Sequence, residues 1–204
     1  PLLLTAGGRD IVVNGQKSGH VWALDADTGK LLWQDRIGEG ATLGGVHWGV
    51  TTDGALVFVP ISDSQFTEQE QDRNRAGVYA YRLRDGRQVW AHRAAADCDA
   101  ARAKNLVRCR TKFGYSAAPL TVDGAVIAGT LDGKVVALDG RTGKVLKSLD
   151  TAGPIETVNG VPGRGGSIDA HAISAGAGMV FVTSGYGSFN QTPGNVLVAL
   201  KPRK

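Results

Sequence analysis

One segment recurs three times in this chain with the same internal order of residues. Each copy consists of an alternating apolar strand, a turn that contains glycine, and a second alternating strand. The copies occupy residues 21–33, 78–90 and 135–147, and their turn glycines Gly29, Gly86 and Gly143 are equally spaced. Recurrence at such a period predicts a repeat architecture, in which each unit buries its apolar face only against its neighbours.

A further hairpin precedes the third copy, with strands over residues 117–122 and 125–129 joined by Asp123-Gly124. An Asp-Gly turn between alternating segments is a strong hairpin signal. Four antiparallel strands repeated in series are typical of the blades of a β-propeller. We therefore predict an all-β chain, a β-propeller of four-stranded antiparallel blades. A solenoid and a β-sandwich are the structural alternatives, and residues 100–107 are the one short helix candidate.

About four blades fit the strand pattern, and two insertions lie outside it. The predicted blades cover residues 1–38, 44–93, 113–151 and 166–204, and the insertions cover residues 62–76 and 94–112. Loops of this length often carry function. The last unit shows only three strands, and the chain begins on Pro1 in a strand. We therefore expect a fragment of a longer chain, whose last strand comes from elsewhere, most simply from the true N-terminus.

Composition argues against two functional classes. No apolar run approaches the roughly 18 residues of a transmembrane helix, so we expect no membrane span. The formal net charge is +4, and the basic residues are mixed with acidic ones. Their densest group lies in the 94–112 insertion and indicates a solvated loop more than a nucleic-acid surface, so we expect no nucleic-acid partner.

The two cysteines, Cys98 and Cys109, lie in the same polar insertion. A disulfide between them would close a small loop and stabilise it by roughly 2 to 3 kcal/mol, chiefly by restricting the unfolded chain. Such a bond indicates an oxidising compartment. Two unpaired surface thiols are the alternative, whereas a zinc site would need two more ligands nearby.

The repeats resemble those of a known family. The phrase Ala-Leu-Asp…Thr-Gly-Lys…Trp at residues 23–33, and its relative at 129–146, are similar to the repeats of pyrroloquinoline quinone (PQQ)-type propellers, the quinoprotein alcohol dehydrogenases and their relatives. The resemblance implies that Trp33 and Trp90 each dock one blade on the next. Lys147 stands where the third such tryptophan is expected, so we predict a weaker contact there.

Two further stretches, residues 44–50 and 165–200, resemble the polyvinyl-alcohol dehydrogenase branch of this family. The cysteine-bearing loop ahead of a Ser-Ala-Ala-Pro strand agrees with it. The resemblance implies a periplasmic or secreted enzyme that oxidises alcohol groups, including those of polymers, and passes electrons to a cytochrome c. It also implies eight blades, of which this chain would hold the C-terminal half and a missing N-terminal half the rest.

PQQ chemistry needs a stacking surface for the flat cofactor, a divalent cation and a carboxylate base. The resemblance points to Trp48, expected on an innermost strand, as the stacking surface. A register shift of two residues would put Val50 there instead, and ordinary core packing is the alternative role of Trp48.

Asp63 follows the second strand of the same blade, where the dehydrogenases keep a cation ligand, usually an asparagine. Its local run is Ser62-Asp63-Ser64, and a hard oxygen ligand suits Ca²⁺. Asp63 is therefore a candidate calcium ligand; the alternative is that it begins a turn into the insertion.

Asp169 and His171 are expected to alternate on an innermost strand, so that both point to one side of the sheet. Asp169 is the candidate catalytic base or a quinone contact, and His171 or His47 would bind a PQQ carboxylate. Satisfied polar groups in a wet central channel are the alternative. Arg164 is a candidate anion contact, and residues 185–190 would form an aromatic rim for substrate.

Three functional interpretations follow. The first is a PQQ-dependent alcohol dehydrogenase, and the second is a non-catalytic propeller scaffold for protein partners, as in outer-membrane assembly lipoproteins. Fold alone cannot choose between them. The 47–49 and 169–171 stretches favour the enzyme, because a scaffold needs no polar and aromatic groups that converge on the channel. The third is that the isolated chain is inactive or assembles with a second half.

Overall fold

Antiparallel sheets follow one another along the chain in the computed structural model, which describes residues 1–201. The first sheet contains β1 (Leu2–Ala6), β2 (Arg9–Gly15), β3 (His20–Asp25) and β4 (Leu31–Arg36). The second contains β5 (Thr51–Thr52), β6 (Leu56–Ile61), β7 (Gly77–Arg82) and β8 (Gln88–Arg93). The third contains β9 (Leu120–Val122), β10 (Ala125–Gly129), β11 (Lys134–Asp139) and β12 (Val145–Asp150).

A short hairpin, β13 (Gly153–Ile155) and β14 (Gly163–Gly165), separates the third sheet from the fourth. The fourth sheet has three strands, β15 (Ile173–Gly176), β16 (Met179–Ser184) and β17 (Val196–Leu200). Within each sheet every strand pairs with its neighbour in sequence, so all four are antiparallel meanders. The predicted all-β propeller with four-stranded blades is confirmed.

The first and third repeats form the same hydrogen bonds in the turn between their third and fourth strands. The carboxylate of Asp25 accepts hydrogen bonds from the backbone N–H and the hydroxyl of Thr28, at 2.9 and 2.7 Å. Asp139 makes the same two bonds with Thr142, both at 2.8 Å. The glycine that follows, Gly29 or Gly143, adopts a positive φ that L-residues with side chains rarely take. The Asp-x-x-Thr-Gly spacing therefore encodes one turn geometry.

The apolar core lies between adjacent blades rather than within one sheet. Three buried clusters lie between the first and second, second and third, and third and fourth sheets. Trp33 belongs to the first cluster and Trp90 to the second. Their structural role, which the resemblance implied, agrees with this burial.

The innermost strands begin later than predicted. Trp48, expected on a strand over residues 48–52, lies outside β5, and Asp169 and His171 both precede β15. Gly49 has φ 139° and Ala170 has φ 61°, and these values interrupt an extended chain just before pairing starts. The prediction that Asp169 and His171 alternate on a strand is therefore wrong.

The insertions contain little regular structure. Residues Glu68–Glu70 form a single 3₁₀ turn, and α1 (Ala100–Ala103) is shorter than the predicted helix. The carboxylate of Asp99 caps α1, accepting hydrogen bonds from the backbone N–H groups of Ala101 and Arg102 at 2.8 and 3.0 Å. Across residues 1–201 there is no helix of the length and apolarity that crossing a membrane requires.

Candidate functional site

Both insertions emerge at the same end of the propeller. In a four-stranded antiparallel meander, the loop between the second and third strands lies at the same end as the connection to the next blade. Residues 62–76 join the second and third strands of the second blade, and residues 94–119 connect the second blade to the third. Asp63 lies in such a loop, and Trp48 and Asp169 lie in connections between blades. All three candidate residues are therefore at this end of the propeller.

Trp48 is the centre of an aromatic group drawn from two blades. Its ring centroid is 5.6 Å from that of His171 and 6.2 Å from that of His47, both in edge-on geometry. The side chain is 38% exposed, in contrast to the buried Trp33 and Trp90. The structure thus brings together three of the predicted site residues and leaves an indole surface open to a ligand.

Hydrogen bonds hold the ring of His47 through both of its nitrogens. Nε2 lies 2.9 Å from the carbonyl oxygen of Thr42, and Nδ1 lies 2.8 Å from the hydroxyl of Ser116. A carbonyl can only accept, so this network assigns the proton to Nε2 and makes Nδ1 the acceptor of the neutral ring. His47 supports the position of Trp48 and has no ring nitrogen left for a cofactor.

Asp63 is fully buried, and both oxygens of its carboxylate accept hydrogen bonds from backbone N–H groups. Oδ1 accepts from the N–H of Gly45 at 3.3 Å, and Oδ2 accepts from the N–H of Arg75 at 2.8 Å. Its φ of 42° marks a turn. No group of three His, Cys, Asp or Glu side chains in residues 1–201 could hold a metal ion. The donor set around Asp63 does not fit the predicted calcium site and agrees instead with the turn alternative.

Asp169 is 3% exposed, whereas His171 is exposed, so the two side chains have different environments. Its Oδ2 accepts from Nε2 of Gln191, and its Oδ1 accepts from the N–H of Ala170, both at 2.7 Å. The Oε1 atom of the same Gln191 is buried without a hydrogen-bond partner. The carboxylate is therefore enclosed beside an amide that retains unused hydrogen-bonding capacity.

Two further residues predicted from the sequence, an anion contact and an aromatic rim residue, are exposed. The guanidinium of Arg164 is within 3.4 Å of the carbonyl oxygen of Asn105, and the residue is exposed. Phe189, in the predicted aromatic rim, is 56% exposed with φ 56°. Phe189 and Asn190 line a large cavity, whereas Arg164 does not.

That cavity has a volume of about 750 Å³ and lies between the two insertions and the 189–190 loop. Its polar lining includes Lys112 and Gln65, neither of which is a predicted site residue. The sequence predicts a solvated loop for the basic residues of the 94–112 insertion, yet Lys112 is only 7% exposed. No sequence signal marks its burial, because the groups that cover it come from another blade.

The predicted disulfide is confirmed, since Cys98 and Cys109 are bonded. The insertion is also fastened to the third blade by Arg102, whose side chain is 10% exposed. Its guanidinium lies 3.0 Å from a carboxylate oxygen of Asp132 and 2.6 Å from one of Asp150. The disulfide and these ion pairs therefore hold an insertion that contains no strand of its own.

Comparisons with known proteins agree with this architecture. The model of a protein family described as "Outer membrane protein assembly factor BamB" matches residues 3–203. A polyvinylalcohol dehydrogenase of Pseudomonas sp is 39% identical over 98% of this chain and 32% of its own length. A polyvinylalcohol dehydrogenase of Sphingopyxis sp. is 31% identical over 95% of this chain and 30% of its own length.

Among solved structures, the quinohemoprotein alcohol dehydrogenase of Comamonas testosteroni superposes with a TM-score of 0.59. The match covers 98% of this chain and 32% of that one, at 18% identity, and shows similarity of fold alone. The chain spans about a third of the length of the curated relatives it matches. Because the family model covers nearly the whole sequence, this chain belongs to the PQQ-type β-propeller family described as outer membrane protein assembly factor BamB.

Proposed function

We propose that this chain is part of a PQQ-dependent alcohol dehydrogenase of the polyvinyl-alcohol type. Its substrates would be alcohol groups, including those of a polymer, and its electron acceptor a cytochrome c. Identity of 39% over 98% of the chain with a protein named polyvinylalcohol dehydrogenase supports this. The Cys98–Cys109 disulfide supports a periplasmic or secreted location. We further propose that the complete propeller has eight blades.

The exposed indole of Trp48 is the observation that carries the proposal. A flat cofactor needs an aromatic face, and this face lies at the end of the propeller where both insertions emerge. Its edge contacts with His47 and His171 restrict the orientation of the ring. Because His47 is itself held at both ring nitrogens, the surface is organised before a ligand arrives. A pure scaffold has no need of such a surface.

PQQ, when bound, supplies the quinone that takes up two electrons and two protons from the alcohol. On this chain, Trp48 would stack on the cofactor ring. His171 would donate a hydrogen bond to a cofactor carboxylate, since within residues 1–201 its ring nitrogens make no other hydrogen bond. We propose no cation ligand here, because both carboxylate oxygens of Asp63 are already engaged by backbone N–H groups.

We retain Asp169 as the proposed general base from the family resemblance. Its carboxylate is enclosed and both oxygens accept hydrogen bonds, so this role requires Gln191 to move aside for the substrate. In Asp169→Asn, the new Oδ1 still accepts from Ala170. The new amide N–H would face the amide of Gln191, which can turn its unpartnered Oε1 toward it. We therefore expect a nearly unchanged melting temperature. PQQ-dependent oxidation of a secondary alcohol should nevertheless fall by about 100-fold or more, the usual share of a general base. Unchanged turnover would remove Asp169 from the mechanism.

Cofactor binding is tested by titrating the purified chain with PQQ and following the absorbance of the cofactor. We expect saturable binding that weakens by at least about tenfold in Trp48→Ala, as loss of an aromatic stacking contact implies. Trp48→Phe should retain most of the affinity, and Trp22→Ala is a control at a tryptophan of the first blade. Binding that is equal in Trp48→Ala and in the unaltered chain would contradict the stacking surface.

A non-catalytic scaffold is the second candidate function, and the description of the matching family favours it. In that case the end of the propeller that carries the insertions binds protein partners. The same titration separates the two functions, since a scaffold binds no PQQ at any concentration below that of non-specific adsorption. Absence of saturable PQQ binding leaves two interpretations, the scaffold and an incomplete enzyme, and repeating the titration on the full-length protein separates them.

A further inference from the structure

The cavity of about 750 Å³ is large enough for an organic molecule of moderate size. Its apolar walls are Leu43, Phe66, Leu106 and Phe189, contributed by four separate segments of the chain. None of Trp48, His47, His171 and Asp169 lines it. The inference that follows does not depend on the proposed dehydrogenase function.

Lys112 puts a buried positive charge at this cavity. The side chain is 7% exposed, and its ammonium donates one hydrogen bond, to the carbonyl oxygen of Ser64 at 3.0 Å. An ammonium carries three donors, so two remain without a partner in residues 1–201. No carboxylate of that part of the chain lies within 4.0 Å of it. A buried charge that lacks a counter-ion is costly, and an anion in the cavity would supply one.

The pKa of Lys112 is lowered, first by burial and then by the nearby charge of Arg108, while Asp169 opposes the shift. The direction of the shift shows that the surroundings disfavour the charged ammonium. Arg108 also lines the cavity, and it is exposed. Two further charged residues line the cavity, Glu68 and Arg110, and they pair with each other at 3.8 Å. The remaining lining charges, those of Lys112 and Arg108, are positive, which favours an anionic ligand.

Gln65 provides an independent indication of a missing ligand. Both of its amide atoms, Nε2 and Oε1, are buried and have no hydrogen-bond partner. Buried polar groups are paired in nearly all folded proteins, so two unpaired atoms on one cavity-lining side chain need an explanation. In this structure both atoms are covered, with Oε1 packed near the backbone of Gly44, and a rotation of the side chain toward the cavity would let the amide N–H donate to a ligand that carries an acceptor.

We propose that this cavity binds an organic carboxylate with an apolar body. The carboxylate pairs with the Lys112 ammonium and accepts a hydrogen bond from the Gln65 amide. The body packs against Phe66 and Phe189. Apolar walls favour a singly charged carboxylate over a phosphate dianion, because the dianion loses more hydration on entry.

The proposal is tested with 2-naphthoate, an aromatic carboxylate, and with the neutral 2-naphthol of similar shape. We expect calorimetric titration at pH 7 to show saturable binding of 2-naphthoate and at least about tenfold weaker binding of 2-naphthol, a ratio typical of one desolvated charge pair. In Lys112→Met the affinity for 2-naphthoate should fall at least about tenfold. The matched control Lys104→Met alters an exposed lysine of the same insertion that does not line the cavity, and it should bind as the unaltered chain does.

A second variant, Gln65→Leu, keeps the volume of the side chain and removes the amide. It should weaken 2-naphthoate several-fold, and it keeps the proposal testable if Lys112→Met fails to fold. Equal affinity for the acid and the alcohol, or unchanged binding in both variants, would overturn the proposal. Titration of 2-naphthoate in the presence of PQQ distinguishes two natural ligands. If PQQ weakens the binding of 2-naphthoate, the cavity takes a carboxylate of the cofactor. If it does not, the cavity takes a separate organic acid. Binding of 2-naphthoate without any binding of PQQ would leave this inference intact and would bear only on the proposed function.

Discussion

The indole nitrogen of Trp33 donates a hydrogen bond to the carbonyl oxygen of Leu83 at 2.8 Å, across the boundary between the first and second blades. Trp90 repeats the contact in the next pair of blades, with the carbonyl oxygen of Gly140 at 2.9 Å. The ring of Trp33 also lies against the turn glycine Gly86, where an added Cβ would be 2.6 Å from the ring. The tryptophan of one repeat therefore needs the glycine of the next, which explains why both recur at a fixed spacing.

Replacing two glycines that share one backbone conformation separates the cost of a clash with Trp33 from the cost of backbone strain. Gly29 and Gly86 both have φ +69°, but only Gly86 has a tryptophan beneath it. Gly29→Ala should cost about 1 kcal/mol of stability through its left-handed backbone. Gly86→Ala should cost about 1 to 3 kcal/mol more, through overpacking against Trp33. Urea denaturation of both variants measures the difference, and equal losses would contradict the docking contact.

Lys147 occupies the repeat position at which Trp33 and Trp90 seal the blades. In the described part of the chain it lines an apolar groove of about 580 Å³, together with Val135, Val180 and other side chains of the third and fourth blades. Lys147→Trp should fill part of this groove and raise the free energy of unfolding by about 0.5 to 2 kcal/mol. Lys144→Trp, at an exposed position just before the strand that carries Lys147 and outside the groove, is the control and should give no gain. Thermal and urea unfolding check both.

The disulfide should contribute chiefly through the unfolded chain. Replacing both Cys98 and Cys109 by serine should lower the free energy of unfolding by about 2 to 3 kcal/mol, because the open loop gains conformational freedom. Reduction of the unaltered chain should produce the same loss, and the serine variant should be insensitive to reductant. A variant as stable as the oxidised chain would show that the Arg102 ion pairs suffice to hold the insertion.

His92 should make the fold sensitive to acid. Its Nε2 lies 3.1 Å from the hydroxyl of Tyr115, and burial lowers the pKa of the imidazole below 6.5. The unfolded chain therefore binds this proton at a higher pH than the folded chain does. Stability is complete above pH 6.5 and is lost as the pH falls toward the folded pKa.

Urea denaturation at pH 7.5 and pH 5 measures this loss. In His92→Asn the change in unfolding free energy between the two pH values should be smaller than in the unaltered chain. An identical slope in His92→Asn and in the unaltered chain would assign the acid sensitivity to other groups.

The candidate site was less accessible to sequence reasoning than the fold. The edge-on contact of Trp48 with His171 joins residues of the second and fourth blades, and no local sequence pattern predicts it. The enclosure of Asp169 depends on Gln191, which comes from a later loop of the same blade. The burial of Asp63 depends in the same way on Gly45 and Arg75.

By itself, the sequence determined the blades. Strand alternation, the Asp-x-x-Thr-Gly turn and the spacing of Trp33, Gly86 and Trp90 are short-range or periodic signals, and each is satisfied within one repeat or by the next one along the chain. Only the tertiary structure decided which polar groups are open and which are enclosed. In the sequence, Lys112 is one of several basic loop residues. In the structure its ammonium donates to the carbonyl oxygen of Ser64, which belongs to another blade. Burial depends on such neighbours that are distant in the chain, so the sequence does not predict it.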